Sequence, residues 1–229
     1  MTDHHIAMID SASIQTLCCQ RASLAVLKAS GKNIRAYLQG QITQDINLLT
    51  PTHSIYTAVL TPQGKTIADM HIIDKGHELI MITAVSHATA LVERLRRFAL
   101  GHDIRLGNVE SLGVLSIQGN HSEHITQQIT QPIEAMIPMH EAANQGFWLV
   151  MTHDDMQHAL YNIPNTCDEK EMEKATIIYG TPRFGRDWDI STHPLNANLI
   201  EMDGVNFDKG CYVGQEVTSR MHWRGGIKK

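Results

Sequence analysis

Near the C-terminal end of the 229-residue chain, the stretch "DGVNFDKGCYVGQEVTSRMHWRGG" sets Cys211 between Gly210 and Gly214, after Lys209 and before Gln215 and Glu216. The glycines leave the backbone around the sulfur uncovered, so a ligand can approach closely. With Asp208 as N-cap, a helix through "CYVGQEVTSRM" would hold Cys211 in its first turn. A helix N-terminus and a neighbouring ammonium both favour thiolate over thiol. These residues describe an accessible, polarised sulfur. The competing reading is a small buried hydrophobe, common for a free cysteine.

Other chemistries find little support. The remaining cysteines, Cys18, Cys19 and Cys167, form no CxxC pair, which disfavours a zinc ribbon. Of 14 histidines, His121 and His124 share a predicted helix and His4–His5 adjoin, but neither pair has a third ligand at metal-site spacing, so no metal is expected. Neither GxxxxGK nor GxGxxG occurs. The 11 methionines suit core gaps. A net charge of −5 offers no global field for nucleic acid or an anionic membrane. From Lys209 onward, however, five basic residues (Lys209, Arg220, Arg224, Lys228, Lys229) face Glu216 alone, so an anionic ligand would meet that end. With 42% hydrophobic and 19% charged residues, no long apolar run and no leader-like N-terminus, the chain reads as a globular, cytoplasmic protein of bacterial type.

The elements that must position these residues follow in order. After a frayed tail to about Asp10 comes a strand over Ala22–Ala29, a turn, and a helix from Ile34 whose spacing continues through Ile42, Ile46 and Leu49. "SIYTAVLTPQGKTIADMHIID" is a hairpin around a Thr61–Gly64 type I turn. "HELIMITAV" is a strand, and "SHATALVERLRRFAL" a helix capped by Ser86. "SLGVLSIQG" gives a strand and "NHSEHITQQI" a helix with a capping box of Asn120 and Glu123. "QGFWLVMTHDDMQHAL" is strand, turn and helix, a weak echo of the earlier order. "CDEKEMEKATIIYG" is a helix, and a long irregular stretch follows Gly180, of the kind that usually carries function. Hairpins mixed with helices argue an α+β fold with mainly antiparallel sheets in two adjoining subdomains.

The segment "KGCYVGQE" resembles the signature of the YgfZ-type folate-binding proteins, which include a mitochondrial iron–sulfur assembly factor and are related to the glycine-cleavage T-protein, an aminomethyltransferase. The resemblance runs from about Ala22 onward: "YLQGQITQDI", "LTPQGKTIADM", "YGTPRFGRD" and "HPLNANL" match family segments in order. It implies a T-protein-like α+β fold, with 20–50 and 145–229 forming a folate-binding subdomain and 51–144 a central one. It also implies tetrahydrofolate as cofactor, and iron–sulfur client or assembly proteins as partners without direct nucleic-acid or membrane binding. The role would be an accessory one in assembling or repairing clusters in client enzymes, including tRNA-modifying ones. Cys211 would be the working residue, Lys209 would tune it, and Tyr212 and Gln215 would shape the pocket. Asp45 either accepts the ring N–H groups of a pterin or sits on a solvated helix face, and Gln41 and Thr43 share that choice. Arg183 either pairs with the glutamate tail of folate or is a surface arginine.

Two departures stand beside the match. Thr176 falls where family members usually carry an arginine, and "RGGIKK" ends the sequence where many continue into a C-terminal β-barrel, most or all of which is therefore expected to be missing. These keep two alternatives in view: a folate-dependent aminomethyl transferase, and a folate-free protein-binding scaffold.

Overall fold

The computed structural model describes residues 16–141, 144–178 and 181–224, with side chains left out at 140–141, 144–145, 175–176 and 178. The expected N-terminal tail and the lysines at 228 and 229 lie outside these residues, as does the Thr176 side chain.

Among the described residues, nine strands form two antiparallel sheets. β2 (Leu24–Ser30), β3 (Ile55–Leu60), β4 (Thr66–Asp74), β5 (Glu78–Ala84) and β6 (Arg105–Asn108) make the first, in the order β3-β4-β5-β2-β6. β1 (Leu17–Gln20), β7 (Leu112–Gln118), β8 (Ala135–Glu141) and β9 (Asn144–Thr152) make the second, in the order β1-β7-β9-β8. Pro138, which cannot donate to a ladder, lies in β8 at the sheet edge, where that loss is tolerated.

Strand alternation explains the layering. In β5, Leu79 and Met81 enter one apolar cluster with Leu91 and Leu95 of helix α2, while Ile80 and Ile82 enter another with Val114, Trp148 and Val150 of the second sheet. Leu149 and Met151 of β9 turn the opposite way and pack on Ile125, Met156 and Ala159. The two sheets therefore stack face to face. Helices α1 (Ile34–Gln39) and α2 (Val85–Arg97) cover the first, and α3 (Ser122–Gln128) and α4 (His153–Asn162) cover the second. Because both faces of its sheet are covered, β7 is buried along its whole length, the polar Ser116 and Gln118 included.

The first sheet takes strands from both sides of residue 51, and the second from both sides of residue 51 and of residue 144. Local details also differ from the sequence reading. α1 stops at Gln39, because Thr43 hydrogen-bonds across to β3 and to Gly204. Ile42, Ile46 and Leu49 still reach the core, but from a β-bridge and a short 3-10 turn, Ile46–Leu48. Ser86 does not cap α2, whose N-cap is Ala84; its hydroxyl meets His87 instead. α3 starts from His121 with no side-chain cap, so the Asn120–Glu123 box does not form. α5 (Glu169–Ile178) forms in the acidic segment, and α6 (Gln215–Arg224) ends the described chain.

Candidate functional site: an aromatic cleft and the loop beside it

The signature does not begin a helix at Asp208. α6 starts at Gln215, so Cys211 lies in an extended loop ahead of it and is exposed. What fixes the start of α6 is Gly214, with φ +86: a Cβ there would stand 2.7 Å from the Thr61 carbonyl oxygen. At the facing turn, Gly64 has φ +74, and a Cβ would meet Val217 of α6 at 3.0 Å. The signature and the hairpin turn are thus pressed together, and only glycine fits on either side.

Lys209 is 7% exposed. Its ammonium donates to the carbonyl oxygens of Gln39, Ile42 and Gln44, each at 2.8 Å. Three acceptors match the three N–H bonds of the charged form. Burial pulls its pKa down to about 8, while the Asp45 carboxylate acts in the opposite sense. Its nitrogen also stands 5.1 Å from the centre of the Tyr212 ring. No hydrogen bond joins it to Cys211, so its contacts fasten the loop to the end of α1 and give no support to thiol tuning.

Asp45 caps the 3-10 turn, accepting from the Asn47 N–H and from Gln39 Nε2. Gln41 receives Arg94, and Thr43 is fully buried. Tyr212 is buried in a cluster with Leu60, Phe184, Trp188 and Leu199, and burial raises its hydroxyl to about 12. Gln215 Oε1 accepts from the Tyr212 N–H at 3.3 Å.

A cleft opens on the other side of the Tyr212 cluster, where the two sheets separate. Its cavity volume is about 70 Å³, a shallow space whose mouth opens to solvent. Ala68, Met70 and Ile72 of β4 face the helices, which leaves Asp69 and His71 on the face toward the second sheet. The β3–β4 register places Tyr56 opposite His71. The His71 ring lies 5.0 Å from Tyr56 and 5.1 Å from Trp148 of β9, edge-on to the indole. Tyr56 donates its hydroxyl to Asp69 at 2.8 Å. Thr181, Pro182, Arg183 and Phe184 supply the far wall.

Burial raises the Asp69 pKa, against the Tyr56 hydroxyl and the Phe184 N–H, which favour the ionised form. Burial lowers His71 to about 4, and the nearby Arg183 charge adds to this, so the imidazole is neutral at physiological pH. A carboxylate flanked by four aromatic rings can accept the N–H groups of a flat heterocycle stacked between them. Of the six site residues expected from sequence, Arg183 alone lines this cleft; its guanidinium also reaches Glu173 at 3.4 Å. Asp69, Tyr56, His71 and Trp148 were not anticipated. The available signal was an acid and a histidine two apart, flanked by apolar residues on both sides, in the middle of a strand. Among the described residues, no group of three His, Cys, Asp or Glu could hold a metal ion, and no helix is long and apolar enough to cross a membrane.

Two stacked antiparallel sheets with helices outside define the fold of the glycine-cleavage aminomethyltransferases. The T-protein of Bartonella henselae superimposes with a TM-score of 0.79 at 14% identity, over 91% of this chain and 63% of its own. No protein-family model matches the chain. In sequence, it is 26% identical to the tRNA-modifying protein YgfZ of Hamiltonella defensa, over 89% of this chain and 65% of that protein. It is also 26% identical to the mitochondrial iron–sulfur cluster assembly factor IBA57 homologue of Coccidioides immitis, over 90% of this chain and 53% of that one. A YgfZ from Colwellia psychrerythraea is 21% identical, over 94% and 70% respectively. The chain thus spans about half to two thirds of the length of most of these proteins. These relatives and this fold bear out the YgfZ-type resemblance carried by "KGCYVGQE".

Proposed function

We propose that the protein binds tetrahydrofolate in the cleft and acts as an accessory factor, supporting assembly or repair of iron–sulfur clusters in client enzymes, tRNA-modifying ones among them. The observation that carries the reading is the Asp69 carboxylate set among Tyr56, His71, Trp148 and Phe184. That arrangement matches a pterin, which is flat, aromatic and rich in N–H donors. Arg183, on the same wall, suits the glutamate carboxylates. Relatives named for tRNA modification and for cluster assembly support the accessory role, and the exposed Cys211 offers a sulfur to a client protein.

Calorimetric titration with tetrahydrofolate under anaerobic, reducing conditions tests the binding. A saturable heat that weakens with added salt is expected, since carboxylates are being attracted. Asp69→Ala should weaken binding about tenfold or more, the value of one charge-assisted hydrogen bond. Absence of binding to the unaltered protein would favour the folate-free scaffold. Aminomethyl transfer is the second reading, favoured by the raised pKa of Asp69, since a carboxyl holding its proton more tightly can serve as acid or base. Turnover of an aminomethylated carrier protein would select it.

A further inference from the structure

Away from the cleft, three of the four cysteines meet where β1 passes the connection between α4 and α5. Cys18 forms a parallel bridge with Thr166. Its N–H donates to the Asn165 carbonyl at 3.2 Å, and its carbonyl accepts from the Cys167 N–H at 2.9 Å. One step along both segments, Cys19 and Cys167 stand opposite each other, close enough for each thiol to perturb the other, while the Cys19 thiol donates to the Gln20 carbonyl at 3.1 Å. Two steps further, Arg21 meets Glu169 at 2.8 Å, and Glu169 also accepts from the Ser23 N–H. The register is therefore pinned on either side of the thiols. Cys18 alternates to the opposite face and packs with Leu115 and Leu149.

Neighbouring extended segments lie about 4.8 Å apart, inside the ~4.4–6.8 Å Cα separation that a disulfide accepts. We propose that Cys19 and Cys167 are a disulfide-forming pair, which ties β1 to the start of α5 when the protein meets a low-molecular-weight disulfide. Cys167, half-exposed, gives its proton to solvent and attacks one sulfur of the small disulfide, displacing a first thiolate. Cys19 then loses its proton, attacks the Cys167 sulfur and displaces the second. The two cysteines give up two electrons, and the small disulfide is reduced to two thiols. Burial holds the Cys19 thiol up at about 12 and raises Cys167 as well, so the exchange is slow at neutral pH and quickens in alkali.

α5 leads within a few residues to Thr181–Phe184, the far wall of the cleft, so the link would fix the helix from which that wall hangs. The proposal stands apart from the folate reading and is tested without it. Reduced protein is incubated with oxidised glutathione in mildly alkaline solution, alkylated, and digested without reductant. A Cys19–Cys167 cross-linked peptide is expected, together with a rise in the thermal midpoint that dithiothreitol reverses. Cys167→Ser, at a half-exposed position, should lose both. Cys19→Ala should instead leave Cys167 as a lasting glutathione adduct. A Cys18–Cys167 cross-link, or glutathionylated Cys167 with no cross-link in the unaltered protein, would overturn the assignment.

Discussion

The cleft and the signature loop share one apolar cluster, with Tyr56 and Phe184 on the cleft side and Tyr212 on the loop side. They are held by different means. On one side of the cleft, Tyr56, Asp69, His71 and Trp148 are strand positions fixed by ladders and by alternation, so these groups are placed by regular backbone, while the Thr181–Phe184 wall is irregular chain. The loop has no ladder of its own and is held chiefly by one buried cation and two close-fitting glycines. A site on a sheet should tolerate the loss of one side chain, whereas a loop hung on a single ammonium should not.

The sharpest way to break this contrast is Lys209→Met. It leaves three carbonyls without their donor, two of them fully buried, at a cost of about 3–5 kcal/mol. For a chain of this size the thermal midpoint should fall by about 10 °C. A midpoint within a degree of the parent would show that the loop is anchored otherwise.

The cleft should announce itself through pH. His71 is neutral in the folded protein down to about 4, whereas its ordinary value is 6.5. Between those values the unfolded chain binds the extra proton, so stability is full above pH 6.5 and falls as pH drops toward 4. The loss is at most about 3 kcal/mol. Urea midpoints across that range should fall in the parent and flatten in His71→Gln; parallel curves would mean that His71 does not titrate as placed.

Cys211→Ser should be the mildest change to the fold. The sulfur is exposed, and a serine there should shift stability by less than about 0.5 kcal/mol. It should nevertheless abolish rescue of a strain lacking the protein. Rescue by the serine form would remove the sulfur from the proposed role.

The two regions were also unequally legible in the sequence. "KGCYVGQE" is contiguous, so residue types and spacing were enough to mark it. What Lys209 does was not legible, because its acceptors are backbone atoms of residues 39–44, and a sequence shows only that a charge sits near a thiol. The cleft was hidden for a different reason. Asp69 and His71 fit the solvent side of an alternating strand, and only the stacking of β9 over β4 turns that side inward, bringing Trp148 onto His71. The α+β class and the antiparallel hairpins could be read because period-2 runs and turn residues are local. Caps at Ser86 and Asn120 were misread because several polar residues compete for each helix start.

β1 and β2 are separated by three residues, yet they enter different sheets. This gives assembly a definite order. All strands of the first sheet are available once synthesis has passed Asn108; β3, β4 and β5 pair with near neighbours, and β2 then joins β5 and β6. β1 emerges before any of them but has to wait for β7, and then for Thr166, before both its edges are filled. Closing such a long loop is the slow kind of step. In pulse-labelled refolding, amides of β2–β5 should gain protection ahead of those of β1, making the first described strand to leave the ribosome the last to be seated.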